Sequence, residues 1–116
     1  MEKVKNAITR LIHQQEEALK KYTVSAFIED DVGKDYKALS ALFSAKEGKT
    51  IEQYVIAQKL ERVKELISYK ELSISEIADK LHYSSVAHLS NQFKKYMGIT
   101  PSQYKGTGNR NALDTL

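Results

Sequence analysis

Residues 39–54, LSALFSAKEGKTIEQY, and residues 89–104, LSNQFKKYMGITPSQY, are one pattern written twice, 50 positions apart. Leu39 pairs with Leu89, Ser40 with Ser90, Phe43 with Phe93 and Gly48 with Gly98. Thr50, Gln53 and Tyr54 recur as Thr100, Gln103 and Tyr104, at the same offset and without a gap. Self-similarity at a fixed period of this size marks a supersecondary unit built twice. A chain of 116 residues has room for little else, so it folds as one compact domain or as two small lobes sharing a core.

The apolar spacing around and between the copies is helical, and no stretch alternates with the period of a strand. Residues 2–21 read as an amphipathic helix with Val4, Ile8, Leu11, Ile12 and Leu19 on one side. A short helix over 24–32 carries Val24, Phe27 and Ile28 and ends near Gly33. Asp35 can cap a helix to about Ala45, with Tyr36, Leu39, Leu42 and Phe43 inward and Gly48 as terminator. Thr50 opens the longest helix, to about Tyr69, with Ile51, Tyr54, Val55, Leu60, Val63, Leu66 and Ile67 apolar. Ser73-Ile74-Ser75-Glu76 is a capping-box pattern for a helix holding Ile74, Ile77, Ala78 and Leu81. The helix over 85–97 turns Val86, Leu89, Phe93 and Tyr96 inward and stops at Gly98. Thr100 and Pro101 then form the N-cap and first turn of a closing helix to Lys105. The expectation is an all-α fold of about seven helices, with residues 106–116 as a frayed tail.

Composition excludes several function classes. With no cysteine there is neither a disulfide framework nor a thiolate metal site, which suits a reducing cytoplasm. No run reaches the ~18 apolar residues of a membrane span, and the N-terminus lacks a signal-peptide core, so a cytoplasmic protein is expected. His13, His82 and His88 show no ligand spacing, no Ser–His–Asp or paired-carboxylate arrangement stands out, and no glycine-rich phosphate loop is present. The expectation is a protein that is not an enzyme and uses no metal or cofactor. Charge is more informative. The net charge is +3, yet 14 of the 15 acidic residues lie at or before Asp79, against 13 bases there. Lys80, Lys94, Lys95, Lys105 and Arg110 follow with no acid until Asp114, a one-sided positive field that favours a polyanion.

Each copy is a short helix, a tight connection and a second helix ended by glycine, a pattern that fits the helix-turn-helix arrangement and equally any αα-hairpin bundle. Projected at 100° per residue, Leu89, Phe93 and Tyr96 cluster on one side of the second copy. Opposite them stand Ala87, Asn91, Lys94 and Lys95, with His88 at the margin. In the first copy the outward places fall to Lys37, Ala41, Ser44 and Ala45, with Ala38 at the margin. A helix in a DNA major groove needs short or hydrogen-bonding side chains there and cations at its flanks. Asn91 can pair bidentately with adenine, Lys37 can donate to guanine and His88 can donate or accept, whereas Ala41 and Ala45 offer apolar contact alone.

From about Val24 to Lys105 the sequence resembles the AraC/XylS family of bacterial transcription activators. The residues that carry the resemblance are Ile77-Ala78, Tyr83-Ser84, Leu89-Ser90, Phe93-Lys94-Lys95, Gly98, Thr100-Pro101-Ser102 and Tyr104, with Gly48, Tyr54 and Leu60-Glu61-Arg62 upstream. The family fold has two helix-turn-helix subdomains joined by one long helix. The resemblance implies a first subdomain over 24–48, a connector over 50–69, a second subdomain over 73–98 and a closing helix over 100–105, with 1–23 as an N-terminal helix or linker. It implies recognition helices at 35–45 and 85–97 in successive major-groove segments ~34 Å apart, which the ~28 Å connector suits. The expected base-facing residues are Lys37, Ser40 and Ala41 in the first copy and Ala87, His88 and Asn91 in the second. Phosphate contacts are expected from Lys49, Lys94, Lys95, Ser102 and Lys105, and from the caps at Thr50 and Thr100 with their backbone N–H groups. His82 stands where the family usually has glycine, which bears on the geometry of the second turn. The implied partner is double-stranded DNA, with RNA polymerase as a second candidate, and this chain is expected to be a monomer, a dimer being open to a longer parent. The rival reading is a small helical protein-interaction module that docks a sensor domain or partner through helix 2–21.

Overall fold

The computed structural model describes residues 2–14 and 23–105. Every regular element among them is a helix: α1 (Glu2–His13), α2 (Val24–Val32), α3 (Tyr36–Glu47), α4 (Ile51–Tyr69), α5 (Ile74–Lys80), α6 (Val86–Met97) and a helical turn over 101–105. Leu19 and the rest of 15–22, like the tail 106–116, lie outside the described residues. The chain divides into two compact units, Met1–Arg62 and Val63–Leu116, and α4 runs through the division.

In the first unit α1 buries Val4, Ala7, Ile8, Leu11 and Ile12, the i, i+3, i+4 spacing of a single apolar stripe. Polar side chains of α1 reach three other helices. Lys5 pairs with Glu47 of α3 at 2.7 Å and Arg10 with Asp31 of α2 at 2.6 Å. His13 Nε2 lies 3.1 Å from Gln58 Oε1 of α4. Helix α2 starts at N-cap Thr23, whose hydroxyl accepts from the Ala26 N–H, and ends at Gly33 in the left-handed region. Helix α3 is capped by Asp35 and closed by Gly48, with Leu39 and Phe43 fully buried beneath it. In the second unit α5 opens on the full capping box of Ser73 and Glu76, and α6 runs from N-cap Ser85 to Gly98 over buried Leu89 and Phe93.

The repeat extends further in chemistry than in identity. Thr23 and Ser73, then Asp35 and Ser85, are N-caps at the same offset of 50, one hydroxyl or carboxylate exchanged for another. The ring pairs repeat as well. Tyr54 meets Phe43 edge to face at 5.7 Å, and Tyr104 meets Phe93 at 5.7 Å. Both tyrosines are half-buried closures over a buried phenylalanine, a contact worth ~0.5–1.5 kcal/mol beyond area burial. The turns differ. Gly33 takes the left-handed conformation in the first turn, whereas His82 takes it in the second, at φ 62°.

Three residues expected inward are exposed instead: Leu42 (54%), Val86 (40%) and Tyr96 (44%). Val86 is the first residue of α6 and no preceding turn covers it. Leu42 sits about 100° around α3 from Phe43, at the edge of the buried stripe, and there it lines a groove of about 280 Å³ with Val4, Val32 and Leu39. Tyr96 shares the side of Leu89 and Phe93 but lies in the last turn of α6, where the helix ends. In the second unit Tyr83, in the turn before α6, is buried instead.

Candidate nucleic-acid interface

The second copy builds the better defined surface. Ser85 fixes the start of α6 by accepting the His88 N–H at 3.0 Å, and Leu89 and Phe93 turn one side into the core. The helical period then carries Ala87, Asn91, Lys94 and Lys95 to the opposite side, with His88 at its margin, and all five are exposed. Lys94 and Lys95 occupy the last turn, where cations also complement the carbonyl end of the helix. Ser102 and Lys105 are exposed beyond it and Thr100 is half-buried.

The His88 ring is held from two sides. The Ser84 hydroxyl lies 3.1 Å from Nδ1, and the Tyr83 ring meets the imidazole edge to face at 5.2 Å. Tyr83 is itself anchored: its hydroxyl donates to Gln92 Oε1 at 2.7 Å, and burial pushes its phenol pKa up. None of Tyr83, Ser84 and Gln92 was among the residues expected to shape this surface. The Tyr83-Ser84 pair was visible as sequence, yet its reach to residue 88 depends on how the turn folds.

The first copy has the same frame and a plainer surface. Lys37 and Ala41 are exposed on α3, whereas Ser40 is half-buried on the flank, between the outward strip and the core. Lys49 and Thr50 are exposed at the start of α4. At the α3–α4 corner the Tyr36 hydroxyl donates to the Glu52 carboxylate, and that bond holds the Glu52 pKa below its ordinary value.

One expected set of phosphate donors is already engaged. The Thr50 N–H donates to Gln53 Oε1 at 2.9 Å, and the Thr100 N–H to Gln103 Oε1 at 2.8 Å. In return each threonine hydroxyl accepts the glutamine N–H, at 3.0 and 3.1 Å. These are capping boxes with glutamine in the third position. The Thr-x-x-Gln spacing, itself repeated at 50, was the signal that could have revealed them. In this structure the Thr50 side chain also hydrogen-bonds the Glu52 carboxylate; the Thr100 hydroxyl proton and the first-turn amides beyond the caps remain as donors toward an anion, and proline at 101 removes one such amide in the second copy. Among the described residues no group of three or more His, Asp or Glu side chains could hold a metal ion. No described helix is long and apolar enough to cross a membrane.

Comparison with known proteins bears on the whole of this arrangement. A family model described as a helix-turn-helix domain matches residues 29–107. The xylose operon regulatory protein of Escherichia coli K12 is 34% identical over 76 residues, covering 66% of this chain and 19% of that protein. The chain spans about a fifth to a quarter of the curated relatives it matches. The C-terminal domain of the two-component response regulator YesN from Fusobacterium nucleatum superposes with a TM-score of 0.70 at 28% identity, over 87% of this chain and 96% of that one. A DNA-binding transcriptional dual regulator of E. coli K-12 shares the fold with a TM-score of 0.75 at 20% identity, over 92% and 93% of the two chains.

Proposed function

The chain belongs to the helix-turn-helix domain family of the AraC/XylS type, and from that membership we propose that it is the sequence-specific, double-stranded-DNA-binding part of a bacterial transcription regulator. Its relatives are transcription regulators and the chain is not an enzyme. On this reading α3 and α6 each enter a major-groove segment. Ala87, His88 and Asn91 face base edges from the second copy, and Lys37 and Ala41 from the first. Lys49, Lys94, Lys95, Ser102, Lys105 and the hydroxyls of Thr50 and Thr100 face phosphates. Ser40, half-buried, is left a marginal place in the first reader. The observation that carries the reading is the α6 strip: four exposed short, polar or cationic residues opposite two fully buried ones, with exposed His88 at the margin.

The interaction-module reading fares less well. It needs the apolar side of the N-terminal helix to be available, and Val4, Ala7, Ile8, Leu11 and Ile12 are each at most 2% exposed. The same proposal places the domain in the cytoplasm as a monomer, with RNA polymerase as a second candidate partner.

The test is binding to duplexes selected from a random pool, measured across salt. Log K falls with log salt at about 0.9 per phosphate neutralised. Lys94→Ala weakens all duplexes alike and lowers that slope by about one phosphate, whereas Asn91→Ala costs ~1–3 kcal/mol at one base pair and relaxes specificity there. A chain that binds no duplex at low salt, or two variants that behave alike on matched and mismatched sites, refutes the proposal.

A further inference from the structure

The two serines before α6 converge on one residue. Ser85 accepts the backbone N–H of His88 at 3.0 Å, and the Ser84 hydroxyl lies 3.1 Å from that residue's ring nitrogen Nδ1. The ring plane is fixed by Tyr83, whose own ring stands at 84° to it and is held by burial and by its bond to Gln92. A histidine on an exposed helix face would ordinarily sample several rotamers and either neutral tautomer. Here rotamer and plane are both constrained, and Nδ1 has a designated partner.

We infer that Ser84 sets the hydrogen-bonding sense of His88: its hydroxyl donates to Nδ1, holds the imidazole in the Nε2–H form, and makes His88 a donor that selects guanine in the second half-site. The inference rests on the reading of α6 as a base-facing helix and adds to it which base is read and what sets the choice. Of the two possible senses, the hydroxyl donating to the bare ring nitrogen pairs the better donor with the better acceptor. The reverse sense would require the less stable, Nδ1–H form of the neutral ring. Ser84 is exposed, so its hydroxyl can rotate to donate. With Nδ1 accepting, Nε2 carries the proton.

A single donor distinguishes the major-groove edges. Guanine offers two adjacent acceptors, O6 and N7; adenine sets a competing amino donor beside N7; thymine sets a methyl beside O4; cytosine offers a donor. Guanine is therefore the best match. Ala87, short and exposed beside His88, adds no bulk between ring and base. The first copy lacks the device, since Ala38 stands at the equivalent of His88 and glycine and lysine occupy its turn. Ser84 and Tyr83 are positioning residues; His88 is the group that touches the base.

Two measurements test this on the full chain. Nitrogen-15 multiple-bond spectra of the protein without DNA should report His88 as the Nε2–H tautomer in the wild type and in Ser84→Thr, and as a mixture in Ser84→Ala. A wild-type ring protonated on Nδ1 instead overturns the inference. Selection from random duplexes should enrich guanine at one position, and His88→Ala should flatten that preference about fivefold, the loss of one neutral hydrogen bond of ~1 kcal/mol. Ser84→Ala should weaken it by less, Ser84→Thr should restore it, and preference at the position read by Asn91 should persist in all three. An enriched motif that His88→Ala leaves unchanged overturns the inference, and so does a Ser84→Ala variant that loses affinity equally on every sequence. Failure of the wild-type chain to bind any duplex overturns the DNA-binding reading and the base preference with it. That failure is distinguishable because the tautomer measurement needs no DNA.

Discussion

The glutamines of the capping boxes yield the sharpest test of which side meets DNA. Of the three boxes, Ser73 uses Glu76, whereas Thr100 and Thr50 use Gln103 and Gln53. Glutamate serves a box at least as well as glutamine. Gln103→Glu is close to isosteric, keeps the bond to the Thr100 N–H, and should leave folding stability within ~0.5 kcal/mol of wild type. Its effect on binding is different in kind. A phosphate accepting from the Thr100 hydroxyl or the adjoining first-turn amide would sit ~7 Å from the new carboxylate. At an effective dielectric of ~40, between the surface and bulk-water limits, the repulsion is ~1.2 kcal/mol, or about eightfold in affinity. Fluorescence anisotropy on a selected duplex measures it, with urea unfolding run in parallel. The deficit should shrink as salt shortens the screening length from its ~10 Å at 0.1 M. The converse change, Glu76→Gln, removes a carboxylate whose pKa is held down by the Ser73 N–H, and should lower stability slightly with no loss of affinity. Equal affinities for Gln103→Glu and wild type at 0.1 M salt would refute the placement of the Thr100 cap against phosphate. A deficit that salt does not touch would refute its electrostatic origin.

Two further outcomes follow from the turns and corners. His82 holds φ 62°, a conformation that costs a side-chain-bearing residue ~1–2 kcal/mol, against ~0.5–1 kcal/mol of extra chain entropy lost by glycine. His82→Gly should therefore raise stability by ~0.5–1 kcal/mol and the melting temperature by ~2–4 °C in a scan at neutral pH; a fall would mean that the His82 side chain supplies packing the turn needs. At the α3–α4 corner, the Tyr36 hydroxyl lowers the Glu52 pKa below its ordinary 4.5. A carboxylate depressed on folding contributes stability above its unfolded pKa and loses it as pH falls through the folded one. Tyr36→Phe should accordingly melt below wild type at pH 7, and the gap should narrow as the pH falls below the ordinary carboxylate range and through the lowered folded-state pKa of Glu52; a gap independent of pH would assign the loss to packing.

How much of this was legible in the sequence depended on how local each feature is. A cap is an agreement between residues three apart, so Asp35, Ser73 and the glycines at 33, 48 and 98 announced their helix ends directly, whereas the caps at Thr23 and Ser85 came only with the structure. The buried stripe of each recognition helix was equally plain, because Leu39 with Phe43 and Leu89 with Phe93 repeat at i, i+4. Its edges and ends were not. Leu42 at the edge of α3, and Val86 and Tyr96 at the ends of α6, are apolar at helical spacing, yet burial there is decided by whether another element lies against them, and they are exposed. Tyr83 reverses the case: a turn residue, it is buried because the turn folds back over Gln92 and His88. Helix α1 packs into the first unit through the apolar stripe that its periodicity announced, whereas its polar pairings, Lys5–Glu47, Arg10–Asp31 and His13–Gln58, join distant parts of the chain and no periodicity reports them. Charge asymmetry pointed at a polyanion, but which lysines share a face with Asn91 required the helix phase.

The two copies repeat where folding makes demands and diverge where it makes none. Caps, terminating glycines and Phe–Tyr ring pairs satisfy backbone groups and cover a core that any such unit must have. Outward residues carry no folding duty, so exchanging Ala41 for Asn91 or Ser44 for Lys94 costs the scaffold nothing and changes what the surface can do. The turn is where the two requirements meet. Gly33 closes the first turn with the least strain and adds no side chain toward α3. The second turn accepts a histidine in the left-handed region, and the Tyr83-Ser84 step that follows reaches across to the ring of His88. That turn is strained where the first is relaxed, and it orders a hydrogen-bonding side chain where the first copy has alanine. On the proposed function, most of the discrimination by hydrogen bonds then belongs to the second half-site. The first contributes thymine-methyl contact through Ala41, one donor from Lys37 and phosphate contact at the α4 corner.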